Sequence, residues 1–178
     1  MTRWMVVAFV LLHVSLADAA ESGQPPSIDL HIRNEAEVAP DVLERALDEV
    51  TRIYADAGLS VRWTDTAPRF TVKIVAQVLG YDRAASAVMG VALRRPGGSM
   101  AQVFLQQVQH FARAYRIDQS TMLAYVIAHE VGHLLLPGHP HSPTGLMQAR
   151  WDRALAQAAA RHVLTFTDAQ AQRIRMSR

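Results

Sequence analysis

The segment from Thr121 to Leu136 is a long apolar run that carries two histidines and a glutamate, and this combination constrains the fold more than any other feature. Its length and apolar content predict a buried helix, for which Ser120 is a candidate N-cap. His129, Glu130 and His133 lie inside the run. Burying a carboxyl group and two imidazoles is costly unless they are hydrogen-bonded or bind a metal ion. The fold must therefore bring a partner to these groups.

Upstream of this helix, alternating apolar and polar residues predict three strands, at residues 28–33, 59–63 and 70–75. A helix is predicted between the first two, from Pro40 in its first turn to Gly58 as its C-terminal stop. The order strand, helix, strand, strand indicates an α+β domain, in which a helix backs a mixed, mostly parallel sheet.

The later segments predict further short elements. Residues 88–93 favour a strand, and residues 100–108 are strand-like before a helical stretch at 109–116. Near the C-terminus, helical turns are expected after Asp152, and a terminal helix is expected to be capped by Thr167. The chain should therefore end in a small helical part.

Residues 1–19 have the pattern of an export signal, with Arg3 before the apolar stretch Trp4–Leu16 and an A-x-A cleavage site at its end. That stretch is shorter than the roughly 20 residues of a membrane span. We expect a protein exported to the periplasm or the extracellular space, without stable membrane insertion after cleavage. Residues 20–27 would form a flexible leader, and residues 28–178 a single domain.

Composition excludes several classes of function. The 18 basic and 16 acidic residues give a net charge of only +2, which argues against a nucleic-acid partner. The chain has no cysteine, so it contains neither a disulfide nor a thiolate ligand. A domain of this length buries enough surface to fold without a metal, so a metal site would serve function. We expect a monomer.

His129, Glu130 and His133 form an H-E-x-x-H motif. Positions i and i+4 share one helix face, so both imidazoles reach a single tetrahedral ion, while Glu130 is displaced and can hold an ion-activated water. Catalytic zinc usually keeps three protein ligands, and His139 and His141 are the candidates for the third. The imidazole ligands favour one Zn²⁺ per chain.

The stretch from His129 to Met147 resembles the signature of the metzincin zinc peptidases, H-E-x-x-H-x-x-G-x-x-H followed by a methionine turn. On that spacing His139 is the third ligand, and Met147, in Gly145-Leu146-Met147, packs beneath the metal without coordinating it. Two positions differ from the family, because Leu136 stands at its glycine and Ala149 at the tyrosine of some branches.

The same stretch is similar to a group of small exported bacterial zincins with H-E-x-x-H-L-L-L followed by H-S-x-x-G-[IL]-M. In that pattern His141 and Ser142 are the matching pair, and a turn at Pro137 and Gly138 brings His141 to the metal. The third ligand is thus open between His139, which metzincin spacing favours, and His141.

The resemblance implies a zincin-like catalytic domain over residues 28–178 and a zinc metalloendopeptidase that hydrolyses peptides or proteins. Glu130 would be the general base for a zinc-activated water. In this fold an edge strand just before the active-site helix binds extended substrate by backbone pairing. We assign that strand to the segment containing Ala101, Val103 and Leu105.

Two other interpretations stay open. The small size and the two departures from the family pattern are compatible with an exported zinc-binding or protein-interaction domain that has no turnover. An α/β module whose histidines bind no metal is the third interpretation. His31, His110 and His162 lack any partner spacing, and we expect them to be structural or solvated.

Overall fold

The structure, a computed structural model, describes residues 25–77, 88–95, 98–138 and 141–177. The predicted export signal at residues 1–19 lies outside the described residues, as does His139. In chain order the elements are β1 (Ser27–Asn34), α1 (Pro40–Asp56), β2 (Ser60–Trp63), β3 (Phe70–Val75), β4 (Gly90–Leu93), β5 (Ser99–Phe104), α2 (Leu105–Tyr115), α3 (Gln119–Leu135), α4 (Arg153–Ala160) and α5 (Asp168–Met176).

The five strands form one sheet in the order β2-β1-β3-β5-β4. All neighbouring pairs are parallel except β4 and β5, which run antiparallel. This confirms the expected α+β fold with a mixed, mostly parallel sheet. The alternating pattern of residues 70–75 corresponds to β3, in which Phe70, Val72 and Ile74 are buried on one face.

The prediction of a substrate-binding edge strand at Ala101, Val103 and Leu105 is wrong. Ala101 and Val103 are fully buried in β5, which lies between β3 and β4, and Leu105 is already the first residue of α2. Within the described ranges, the edge beside β5 is occupied by β4, where Gly90 pairs with Val103. The strand order depends on this long-range pairing, which local alternation does not specify.

Strand β5 also ends earlier than the strand-like pattern at residues 100–108. The chain becomes helical at Leu105, and α2 buries Leu105, Val108 and Ala112 on one face. These apolar residues are spaced by three and four, so the local pattern is compatible with a helix as well as with a strand. Packing against α3 selects the helix.

Helix α3 is the central helix of the domain and contacts α1, α2, β4 and β5. Its N-cap is Asp118 rather than Ser120, because the Asp118 carboxylate accepts hydrogen bonds from the backbone N–H groups of Ser120 and Thr121. The Tyr54 hydroxyl of α1 donates a buried 2.9 Å hydrogen bond to the carbonyl of Ala128. This bond fixes α3 against α1 one residue before the motif.

The two C-terminal helices begin where the sequence predicts. Asp152 caps α4 by accepting from the N–H of Leu155, and Thr167 begins α5 with a capping box that includes Gln170. None of the helices in the four described ranges has both the length and the hydrophobicity that crossing a membrane requires.

Candidate metal centre

His129 and His133 lie on one face of α3, one helical turn apart. Their Nε2 atoms are 3.0 Å from each other, and the two rings are nearly perpendicular, with centroids 4.7 Å apart. Two imidazole nitrogens bound to one tetrahedral zinc ion at 2.0–2.1 Å lie about 3.3 Å apart. The spacing of these two side chains therefore suits a shared ion without rearrangement of the helix.

His141 supplies a third imidazole from the loop after α3. Its ring centroid is 4.9 Å from that of His133 and 5.6 Å from that of His129. One ring nitrogen from each of the three histidines lies within 4.8 Å of the others. Three imidazoles that converge in this way are a donor set that fits Zn²⁺ and leaves a fourth position open. The residues present therefore fit a zinc ion.

A backbone carbonyl orients the ring of His129. The Nδ1 of His129 lies 2.9 Å from the carbonyl oxygen of Leu146, which can only accept a hydrogen bond. Nδ1 must therefore carry the proton, which leaves the Nε2 lone pair directed at the metal position. Leu146 belongs to Gly145-Leu146-Met147, the segment that the family resemblance matches to a methionine turn.

Burial keeps the two helical histidines neutral. Together with the neighbouring imidazoles, it lowers the pKa of His129 and that of His133 to about 4 each. The carbonyl of Leu146 opposes this effect at His129, because it stabilises the protonated ring. At neutral pH both rings therefore have a free lone pair, as a metal ligand requires.

Glu130 is buried beside these histidines, with 6% of its surface exposed. Burial raises the pKa of its carboxyl group to about 8. The side chain lines the same cavity as the three histidines. A buried carboxyl group with a raised pKa at the floor of a cleft is typical of a residue that exchanges protons with a substrate.

The cavity has a volume of about 500 Å³ and lies between α3 and the edge strand β4. Gly90 of β4 approaches Glu130 so closely that no side chain fits between them. At the far end of β4, Arg94 donates hydrogen bonds to the carbonyl groups of His133, at 3.2 Å, and Leu134. Trp151 forms another wall, with its ring edge-on to His129 at 5.9 Å.

Met147 packs against α3 at Gly132. This glycine lies between the two helical histidines in the sequence. Met147 is 1% exposed, and a Cβ atom on Gly132 would lie 2.6 Å from its sulfur and 3.1 Å from the ring of Phe166. The methionine therefore packs against the helix that carries the ligands, as the resemblance implies for a methionine turn.

Gly90, Arg94 and Trp151 are parts of the site that the sequence did not indicate. Gly90 and Arg94 lie about 40 residues before the motif, and no local pattern relates them to it. The other histidines of the described ranges lie away from this cleft. His31 is beside Asp65, His162 pairs with Glu49, and His110 is exposed on α2.

The fold is similar to that of a solved zinc-dependent peptidase from Methanocorpusculum labreanum. The two chains are 14% identical and superpose with a TM-score of 0.54, over 82% of this chain and 99% of the other. No family model matches the sequence. No curated protein matches it either. The chain therefore shares the fold of a zinc-dependent peptidase and places three histidines where they could hold a metal ion.

Proposed function

We propose that this protein is an exported, metzincin-like zinc metalloendopeptidase whose metal ligands are His129, His133 and His141. The single observation that carries the proposal is the convergence of three imidazole nitrogens within 4.8 Å beside the buried Glu130, in one cleft. The fold shared with a zinc-dependent peptidase supports it. The signal-like pattern of residues 1–19 supports export.

His141 replaces His139 as the favoured third ligand in this proposal. The described position of His141 brings its ring within contact distance of both helical imidazoles. The pattern of the small exported zincins, in which the ligand histidine is followed by serine, agrees with this choice through Ser142.

Glu130 is the residue that moves the proton in the proposed reaction. When bound, zinc supplies Lewis acidity that makes water a nucleophile near neutral pH and polarises a carbonyl group. The Glu130 carboxylate accepts the proton of the attacking water and passes it to the nitrogen of the leaving amine. A cation held by the three histidines favours the ionised form of Glu130, which a base requires.

The edge strand β4 is the proposed docking site for the peptide backbone. Residues 88–92 line the cleft, and within the described ranges β4 has a neighbouring strand on one side only. An extended peptide can add to such an edge through main-chain hydrogen bonds. A peptide held there would lie beside Glu130 and the three histidines, which line the same cleft.

The test compares the mature protein, beginning at residue 20, with its Glu130→Gln variant. Elemental analysis measures bound zinc, and a mixed peptide library followed by mass spectrometry measures hydrolysis. We expect about one zinc per chain in both proteins, and a loss of hydrolysis of at least about 10²-fold in the variant, because general acid–base catalysis contributes that much. Glu44→Gln, on the exposed face of α1, is the matched control and should remain active.

A fully active Glu130→Gln protein would contradict the proposed role of this residue. If the wild-type protein binds zinc but cleaves no member of the library, the site is a zinc-binding centre without turnover, which is the alternative function. If it binds no zinc even after addition of the ion, both zinc functions are excluded.

A further inference from the structure

The C-terminal segment contacts the loop that carries His141 at two points. The N–H of Leu146 donates a 2.8 Å hydrogen bond to the carbonyl of Thr165. The side-chain amide of Gln170, in the first turn of α5, donates a 2.9 Å hydrogen bond to the hydroxyl of Ser142. Residue 142 directly follows His141, so the second contact lies one peptide unit from a proposed ligand.

Gln170 is held rigidly by its own helix. It is 8% exposed, and its Oε1 atom accepts a 2.9 Å hydrogen bond from the N–H of Thr167. That bond identifies the carbonyl end of the side chain, so the NH₂ group must point towards Ser142. Gln170 also donates its own N–H to the Thr167 hydroxyl. The amide therefore reaches the loop in one fixed orientation.

Ser142 is fixed on the loop side by its remaining hydrogen bonds. Its hydroxyl donates to the carbonyl of Thr144 at 2.7 Å, and its N–H donates to the carbonyl of Met147 at 2.9 Å. The amide of Gln170 is the donor that this hydroxyl accepts. Ser142 therefore forms hydrogen bonds both within the loop and to α5.

His141 depends on such an anchor more than the other two ligands do. His129 and His133 extend from the buried helix α3, whereas His141 is exposed on a loop. Ordering an exposed loop side chain on metal binding costs conformational entropy, and a loop that is already fixed avoids that cost. Groups that orient metal ligands commonly change metal affinity by 10–100-fold when they are removed.

We propose that Gln170 is a positioning residue for the metal centre, which holds His141 in place through Ser142 and makes helix α5 part of the site. The inference rests on the metal ligands of the proposed function and is independent of peptide hydrolysis. If this is so, the first turn of α5 affects the affinity for zinc, which a purely structural contact would not do.

The test measures zinc affinity by competition with a chromophoric chelator, together with the melting temperature of the metal-free protein. Ser142→Ala and Gln170→Met each remove one partner, and we expect each to weaken zinc binding about tenfold. Both substitutions remove the hydrogen bond between Gln170 and Ser142. The double variant should therefore have about the same zinc affinity as whichever single variant binds zinc more weakly. Ser142→Thr keeps the hydroxyl and should keep the affinity.

Thr167→Val is the matched control for helix stability. It removes the hydroxyl that accepts from the N–H of Gln170 but leaves the backbone N–H that holds the Gln170 amide. We expect both Thr167→Val and Gln170→Met to lower the melting temperature. The zinc affinity of Thr167→Val should stay within about twofold of the wild type. Equal losses of affinity in Thr167→Val and Gln170→Met would overturn the proposal.

A variant of the ligand itself separates this inference from the proposed function. If His141→Ala binds zinc as tightly as the wild type, the proposed set of ligands is wrong. If His141→Ala loses zinc while Ser142→Ala and Gln170→Met keep the wild-type affinity, the ligands are right and the positioning role of Gln170 is wrong.

Discussion

Gly90 and Glu130 are in such close contact that a Cβ atom on Gly90 would lie 2.6 Å from Cγ of Glu130 and 2.9 Å from its Oε1. The glycine belongs to the edge strand β4 and the glutamate to helix α3. The absence of a side chain at residue 90 therefore defines the space that the carboxyl group occupies.

Gly90→Ala should displace Glu130 while leaving the metal ligands in place. We expect zinc content to stay at the wild-type level, peptide hydrolysis to fall through kcat, and the protein to lose about 1–3 kcal/mol of stability, as overpacking typically costs. Steady-state kinetics, elemental analysis and urea unfolding measure these three effects.

Truncation of Glu130 tests whether contact with its side chain causes the loss of stability in Gly90→Ala. In a Glu130→Ala background the added methyl group has no side chain to displace, so Gly90→Ala should cost much less stability there. An equal cost in both backgrounds would show that the alanine disturbs β4 by some other contact.

Replacement of the histidines one at a time should identify the third ligand. We expect His129→Ala, His133→Ala and His141→Ala each to lose bound zinc, because a site with two imidazoles holds the ion weakly. His139→Ala should retain about one zinc per chain by elemental analysis. Loss of zinc from His139→Ala together with its retention by His141→Ala would instead favour the metzincin spacing.

Gly132→Ala should destabilise the protein although alanine favours a helix. The gain in helix propensity is about 1 kcal/mol. The new methyl group would lie 2.6 Å from the sulfur of Met147 and 3.1 Å from the ring of Phe166, in a fully buried region. We expect overpacking to outweigh the gain, with a net loss of about 1 kcal/mol in thermal or urea unfolding.

The Met147→Ala background provides the control for this substitution. Removing the thioether opens the space that the methyl group needs, so Gly132→Ala should be neutral or stabilising there. A stabilising effect of Gly132→Ala in the wild-type background would contradict the close packing of Met147 on α3.

Glu49 should contribute stability that depends on pH. Burial raises the pKa of its carboxyl group, but hydrogen bonds from Arg52, at 2.7 and 2.9 Å, and from His162, at 2.8 Å, lower it below its usual value of 4.5. A carboxyl group with a lowered pKa stabilises the fold above the pKa of the unfolded state, and the contribution is lost as the pH falls through the folded-state pKa.

Glu49→Gln measures this contribution. The difference in unfolding free energy between wild type and variant should be largest near pH 7 and should shrink as the pH falls below about 4.5. Urea unfolding at several pH values gives the difference, and Glu44→Gln on the exposed face of the same helix should show little difference at any pH. A difference independent of pH would indicate that packing, and not charge, gives Glu49 its role.

Local patterns were sufficient for the regular elements near the site. The alternation at Phe70–Val75 indicates a strand buried on one face, and Pro40 marks the start of α1. The continuous apolar run of α3 indicates a helix that is buried on nearly every side. The boundary at Leu105 was missed, because a short apolar stretch fits both periods and the neighbouring helix decides between them.

The H-E-x-x-H motif was equally local, since the geometry of a helix alone places His129 and His133 on one face. The position of His141, by contrast, depends on the loop after α3, and the contacts of β4, Gly90 and Gln170 join residues that are far apart in the sequence. A single sequence cannot determine such pairs, because their positions depend on how the sheet and helices pack.

The sequence by itself therefore determined helix α3, the two histidines one turn apart on one of its faces, and the glutamate that lies between them in the sequence. Only the tertiary structure decided which strand faces that glutamate, and only it placed His141 beside the two histidines of the motif and tied the loop that carries it to the C-terminal helix. The physical reason is that the periodicity of a helix is a property of consecutive residues, whereas a cleft is formed by packing between distant ones.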